Sequence, residues 1–360
     1  MKDKPLEFFT TQLLQWAKNQ DRKLPWKKTK NPYYIWLSEI ILQQTRVEQG
    51  RFYYEEFIKN YPTVSELAQA PEDEILKLWQ GLGYYARARN LHYTAKYIQK
   101  YYKGVFPKTY AEIKALKGIG NYTAAAIASF AYNLPHAVVD GNVYRVLARF
   151  FAVDTPIDTA LGKKKFAALA QALLPPEKAA IYNQAIMDFG ATHCKPKQAL
   201  CTSCLHKLKC KAFEKNTVYE LPVKSKKIKK RNRFFYYLVC KSVDRLQLVK
   251  RQAKDIWQGL YEFPLLELNA LLDRRQLVAH EKWKALAMGQ EFNLRRFSKP
   301  YKQTLSHQRI VASFIEIDCP KGFFLKQAGI IQIQQRELRK FALPKVITTY
   351  LNDKAPSLTF

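Results

Sequence analysis

The sequence predicts a mainly α fold: a long helical N-terminal part, a basic linker and a smaller α+β domain. Three observations carry that expectation. From residue 6 to about 213, apolar residues recur at three- and four-residue intervals with Gly or Pro at the segment ends. KSKKIKKRNR (224–233) then has seven basic residues in ten and no apolar period, so it reads as a linker. Beyond it the period changes to two.

The elements follow in order. YYIWLSEIILQQTRV (33–47) is apolar enough to be a buried helix, yet it carries Glu39. A carboxylate in that setting is either a satisfied core group or a functional one. DEILKLWQGLG (73–83) and ARARNLHYTAKYIQKYY (86–102) have helical spacing. Between them GLGYYARARN (81–90) mixes aromatics with arginines at a turn. It is either a packed aromatic turn with exposed basic residues, or a wedge for a base stack with Arg87 and Arg89 near phosphates.

LKGIGNYTAAAIASFAY (116–132) predicts helix, tight turn and small-residue helix. Gly118 and Gly120 permit positive φ and leave the N–H groups of the second helix free for a phosphate. A Gly-x-Gly turn alone is common and weakly diagnostic. AVVDGNVYRVLARF (137–150) sets Asp140 at a helix start, where the simplest role is an N-cap. In the C-terminal part, RFFYYLVCKSVDRLQLVKRQ (233–252) predicts a hairpin turning near Asp244. RIVASFIEID (309–318) predicts a strand, and ELRKFALPKVITTYLND (337–353) a final helical stretch broken by Pro.

The charge balance narrows the function. Sixty Lys and Arg against thirty Asp and Glu give a formal charge of +30, which predicts a polyanionic partner, nucleic acid ahead of membrane. The N-terminus has no signal-peptide pattern, and no run approaches a membrane-spanning length. Six cysteines in 360 residues are too few for a disulfide scaffold. Four of them, Cys194-x6-Cys201-x2-Cys204-x5-Cys210, fit one metal centre in a reducing compartment. Tetrahedral zinc and an iron–sulfur cluster both satisfy that spacing; a single compact run favours the cluster, in a structural role. Cys240 and Cys319 fall in predicted strands and are most simply core residues. Glu39 and Asp140 together supply two carboxylates in different environments. Acid-assisted glycosidic cleavage needs such a pair: one protonated and donating, one ionised beside a cationic sugar.

Taken together, LPW (24–26), SEIILQQTRV, WQGLGYYARARNL, LKGIGNYTAAAI, VVDGNVYRVLARF, YNQAIMDFGATHC, the cysteine run, IWQGLYEFP (256–264) and TLSHQ (304–308) resemble the adenine DNA glycosylases. These form a branch of the helix–hairpin–helix family that includes endonuclease III. The resemblance covers nearly the whole chain in family order. It implies a two-lobed helical glycosylase over 1–213, with a six-helix barrel at about 27–132 and a cluster lobe of 1–26 plus 133–213. A basic linker (214–232) and a Nudix-like α+β domain (233–360) would follow. It implies a 4Fe–4S cluster on the four cysteines.

The activity implied is removal of adenine mispaired with 8-oxoguanine, or with guanine, from double-stranded DNA after base flipping. Glu39 would protonate adenine N7, and Asp140 would stabilise the sugar cation, with Tyr122 and Asn142 positioning both. Gln44 and Tyr84 would fill the opened stack, while Ser306 and His307 would recognise 8-oxoguanine. A lyase of the endonuclease III type, acting on oxidised pyrimidines, needs a lysine amine where this chain has Tyr122, so the expected enzyme is monofunctional. A non-catalytic DNA-binding module is the remaining alternative. Lys27 stands where the family usually has arginine, and Gln303 and Leu305 depart from the family's lesion loop. No glutamate run resembles a Nudix metal site, so that domain is expected to read the lesion and hydrolyse nothing. The expected protein is a cytoplasmic, nucleoid-associated monomer.

Overall fold

Asn31 and Pro32 open the helix that carries Glu39: the Asn31 side chain accepts from Tyr33 N at 2.9 Å, and Pro occupies the first helical position. The computed structural model describes residues 4–20, 22–225, 230–288 and 292–354. Helices α1 (Lys4–Lys18), α2 (Pro32–Leu42), α3 (Val47–Asn60), α4 (Val64–Gln69), α5 (Glu72–Leu78) and α6 (Ala86–Tyr102) come first. They are followed by α7 (Tyr110–Ala115), α8 (Asn121–Tyr132), α9 (Gly141–Phe151), α10 (Ala160–Leu173), α11 (Ala179–Thr192) and the short α12 (Lys211–Glu214). Chain contacts form two units: Met1–Gln69 with Asn90–Lys227, and Ala70–Arg89 with Ile228–Phe360. Among the described residues no helix is long and apolar enough to cross a membrane.

In the first unit α2 is apolar on all sides and buries Tyr33 through Ile41 except Tyr34, as a core helix does. It packs against α8, whose Thr123–Ser129 run of small residues is buried and allows close approach. A second core gathers Phe9 and Leu13 of α1, Val143 and Leu147 of α9, Phe166 of α10, and Tyr182 and Phe189 of α11. Helix α2 ends at Leu42. Gln44, expected one turn further along the same helix, instead lies beyond its end in a turn at φ +59°. A non-glycine residue takes that left-handed conformation only where its surroundings hold it there.

The second unit contains an eight-stranded mixed sheet. Its strands are β1 (Arg231–Ser242), β2 (Arg245–Lys250), β3 (Tyr261–Glu262), β4 (Leu265–Leu268), β5 (Asn293–Phe297), β6 (Tyr301–Thr304), β7 (Gln308–Asp318) and β8 (Ile330–Gln334). Two short helices, α13 (Arg274–Ala279) and α14 (Glu281–Leu286), and the terminal α15 (Lys345–Asp353) accompany them. Strands β1 and β2 form the expected hairpin around Val243–Asp244, and β1 runs parallel to β7 from Arg231↔Gln308 to Lys241↔Asp318. One face buries Tyr236, Leu238, Ile315 and Ile317 against Leu277 and Trp283.

The segment Ala70–Arg89 is held to this sheet by polar contacts. Lys250 pairs with Asp73, and Tyr261 donates to the same carboxylate at 3.0 Å. Lys77 Nζ donates to Phe341 O at 3.1 Å, Leu343 N to Gln80 Oε1 at 3.0 Å, and Arg89 Nη1 to Gln258 O at 2.6 Å.

Within the expected linker, Val218 and Leu221 are buried in the helical core and β1 opens at Arg231; residues 226–229 lie outside the described residues. Cys240 and Cys319 are core residues, as expected, but they are also joined as a disulfide between neighbouring β1 and the end of β7. Parallel register brings their Cα atoms to 5.8 Å, which spacing along the chain could not reveal.

Candidate active site

Three helices bring the first-unit candidates into one cavity of about 700 Å³. Glu39 comes from the middle of α2, Tyr122 from the first turn of α8, and Asp140 and Asn142 from the start of α9. Glu39 is only 8 % exposed. Burial pushes its carboxyl up to about 7; a hydrogen bond with Tyr122 opposes the rise, and the Asp140 charge adds to it. The same burial, with the Glu39 and Asp140 charges, holds the Tyr122 phenol well above its ordinary range. Tyr122 Oη also lies 3.5 Å from Met187 Sδ.

Asp140 is the N-cap of α9, so the local-structure role inferred from sequence is real. Its Oδ1 accepts from Asn142 N at 2.9 Å and Val143 N at 2.8 Å. Its Oδ2 accepts from Asn142 Nδ2 at 2.7 Å. Burial raises the Asp140 carboxyl, while these N–H donors and the Arg145 charge pull it back down. The two acids therefore differ in kind. Burial dominates at Glu39, which tends to keep its proton; Asp140 has three N–H donors and the Arg145 charge that favour its ionised form.

Arg145 was not anticipated from sequence. Its Nη2 donates to Asn142 Oδ1 at 2.8 Å and to Gly190 O at 2.6 Å, while Nε donates to Cys194 O at 2.8 Å. It thus fixes the amide that fixes Asp140. Gly190 is required beneath it, because a Cβ there would stand 2.6 Å from Asn142 Cβ. The available signal was an arginine buried in the apolar helix VYRVLARF, whose guanidinium needs acceptors. Lys27 and Asp188 were also missed as a pair. They meet in the same cavity, where Arg22 Nη1 donates to Asp188 at 3.0 Å.

At the hairpin, Gly118 has φ +81°, and a Cβ there would lie 2.8 Å from Asn90 Cβ. Gly120 corrects the expectation: its φ is −90°, and it serves as the N-cap of α8 with open space where a Cβ would be. The N–H groups of the first turn of α8 have no side-chain cap, as a phosphate site requires.

The four clustered cysteines are free and half-buried, and they line one small cavity with Phe9, Phe150, Phe189 and His206. Arg149 Nη1 donates to Cys194 Sγ at 3.4 Å and to Lys195 O at 2.7 Å, holding the loop to α9. Among the described residues no group of three or more His, Cys, Asp or Glu is set to hold a single metal ion.

In the second unit Tyr84, Ser306 and His307 line a separate cavity of about 660 Å³. Tyr84 is half-exposed at φ +48°, and its hydroxyl meets that of Ser306. Arg87 is engaged within its own turn. Its guanidinium donates to Gly83 O at 3.2 Å and lies 5.0 Å from the Trp79 ring, bracing the turn. Arg89 is likewise engaged with Gln258 O.

Residues 37–175 match the model of the HhH-GPD superfamily base excision DNA repair proteins, and 235–353 match the NUDIX domain. The adenine DNA glycosylase of Buchnera aphidicola subsp. Baizongia pistaciae is 40% identical over 263 residues, 72% of this chain and 74% of that one. The Arabidopsis thaliana adenine DNA glycosylase is 36% identical over 301 residues, covering 72% of this chain and 48% of its own. Among solved structures, a thermostable thymine-DNA glycosylase superposes with TM-score 0.56 at 30% identity, over 59% of this chain and 98% of that one. The chain belongs to the adenine DNA glycosylase family, with a helical base-excision-repair domain followed by a Nudix-like domain.

Proposed function

We propose that this enzyme hydrolyses the N-glycosidic bond of adenine lying opposite 8-oxoguanine, or guanine, in duplex DNA. The observation that carries the reading is the buried Glu39–Tyr122 pair sharing a cavity with Asp140. Glu39 gives its proton to adenine N7, and the C1′–N9 bond breaks with its electron pair passing to the base. Asp140 faces the resulting sugar cation, as a counter-ion or through a transient ester. Water then adds at C1′, and its proton returns to Glu39, leaving an abasic site. Tyr122 orients Glu39, and Asn142 orients Asp140. With a phenol at position 122 in place of an amine, the chain stays monofunctional.

The rest of the site serves base flipping. The uncapped start of α8 at Gly118 and Gly120 accepts a phosphate, and Gln44 and Tyr84 fill the opened stack. Ser306 and His307 recognise the lesion base within a Nudix-like domain that does no hydrolysis. Residues 1–213 act as the glycosylase domain, as a monomer at the nucleoid. Cys194, Cys201, Cys204 and Cys210 would hold a 4Fe–4S cluster. Four thiols around one cavity walled by aromatic rings suit it, and it would supply structural cross-linking of the loop.

Incubation with an A:8-oxoguanine duplex, with and without alkali, tests the activity. Strand breaks only after alkali support it. Breaks without alkali indicate a lyase, and intact adenine indicates a binding module; either outcome refutes the proposal.

A further inference from the structure

We propose that Arg233 is a positioning residue for the lesion-reading loop and acts on it through Gln308. The proposal rests on the assignment of Ser306 and His307 to lesion recognition. Arg233 lies near the start of β1 and is 7 % exposed. Its Nε and Nη2 each donate to one oxygen of Glu267 at 2.6 Å. Nη2 also approaches Asp255 Oδ2 at 2.7 Å, and Nη1 donates to Asp255 Oδ1 and to Gln308 Oε1, both at 3.0 Å. The guanidinium thus makes four hydrogen bonds to three side chains and a further close ion-pair approach.

The two carboxylates already satisfy the buried cation. The bond to the neutral Gln308 amide is not needed to balance charge, so what it adds is orientation. Gln308 directly follows His307, and its carbonyl accepts from Leu305 N at 2.8 Å. Arg231 N donates to His307 O at 3.0 Å, closing the other side of the same loop. Gln308 and Asp255 both line the cavity that holds Ser306 and Tyr84. One planar fork therefore holds two walls of that cavity in register. Lysine at 233 would offer three donors from a single point and could not span Glu267, Asp255 and Gln308 at once.

Single-turnover adenine release from A:8-oxoguanine and A:G duplexes tests this, with thermal unfolding of each variant in parallel. Gln308→Met removes the acceptor at similar length and leaves the Arg233–Glu267 pair intact. It should narrow the preference for 8-oxoguanine roughly tenfold, the worth of one hydrogen bond to a charged group. Arg233→Lys should narrow it in the same direction, and Gln308→Glu, which keeps an acceptor, should restore it. Ser306→Ala serves as the reference and should narrow the preference by itself. If Gln308→Met keeps the wild-type ratio, or slows both substrates equally, while Ser306→Ala narrows it, the Arg233 route is wrong and lesion reading stands. If Ser306→Ala also leaves the ratio unchanged, the lesion-reading assignment fails and takes this proposal with it.

Discussion

Replacing Glu39 by glutamine should make the protein more stable while stopping the reaction. In the fold the carboxyl is raised from 4.5 to about 7, chiefly by burial. Below pH 4.5 both folded and unfolded chains hold the proton, and the group's contribution is fully present. As the pH rises the unfolded carboxyl ionises first, and stability drains away until the folded group follows near pH 7. The difference between 4.5 and about 7, at about 1.4 kcal/mol per pH unit, amounts to about 3 kcal/mol at pH 8. Glu39→Gln removes the ionisation while keeping the shape. Urea unfolding at pH 8 should therefore show the variant more stable by that order, a gain that shrinks steadily toward pH 5. In thermal unfolding this is a rise of roughly 6 to 12 °C. In wild type, single-turnover base release should be flat below pH 7 and fall about tenfold per unit above it. A variant no more stable than wild type at pH 8, or equally stabilised at both pH values, would refute the account of Glu39 as a proton-holding acid.

Other outcomes follow from the same geometry. Asp140→Asn keeps a good N-cap, so thermal unfolding should barely move while base release is lost; normal activity would leave Asp140 as a cap alone. Gly118→Ala combines strain at φ +81° with a Cβ 2.8 Å from Asn90 Cβ, and should destabilise the fold by about 1–3 kcal/mol. Gly120→Ala enters open space at φ −90° and should leave stability unchanged while weakening duplex binding, as filter binding or anisotropy would show. Purified protein should be yellow-brown with about four irons per chain, and chelation should loosen the cysteine loop to proteolysis; a colourless, zinc-loaded protein would exclude the cluster.

Much of this was legible from residue patterns because the decisive groups break them. Glu39 interrupts an apolar helix, Asp140 caps one, and four cysteines crowd one loop. What was not legible depends on the third dimension. Helix α2 ends before Gln44, and nothing in IILQQT announces a left-handed residue. Arg87 was expected near phosphates, and its contacts with Trp79 and two backbone carbonyls could not be read from the residue pattern of the turn. Arg145 and Arg233 were silent for the same reason, since each has an acceptor far along the chain that only the fold brings near, Gly190 for Arg145 and Gln308 for Arg233.

The grouping of Ala70–Arg89 with the C-terminal sheet limits how this protein can be divided. Deleting the Nudix-like part would take away more than the loop carrying Ser306 and His307. Asp73 would lose both Lys250 and Tyr261, and Arg89 its Gln258 carbonyl, so the turn that presents Tyr84 would lose its mounting. A truncated enzyme would consequently suffer two injuries at once, and its residual activity would measure neither. Point changes on one side of the Tyr84–Ser306 contact separate what excision of the whole domain confounds.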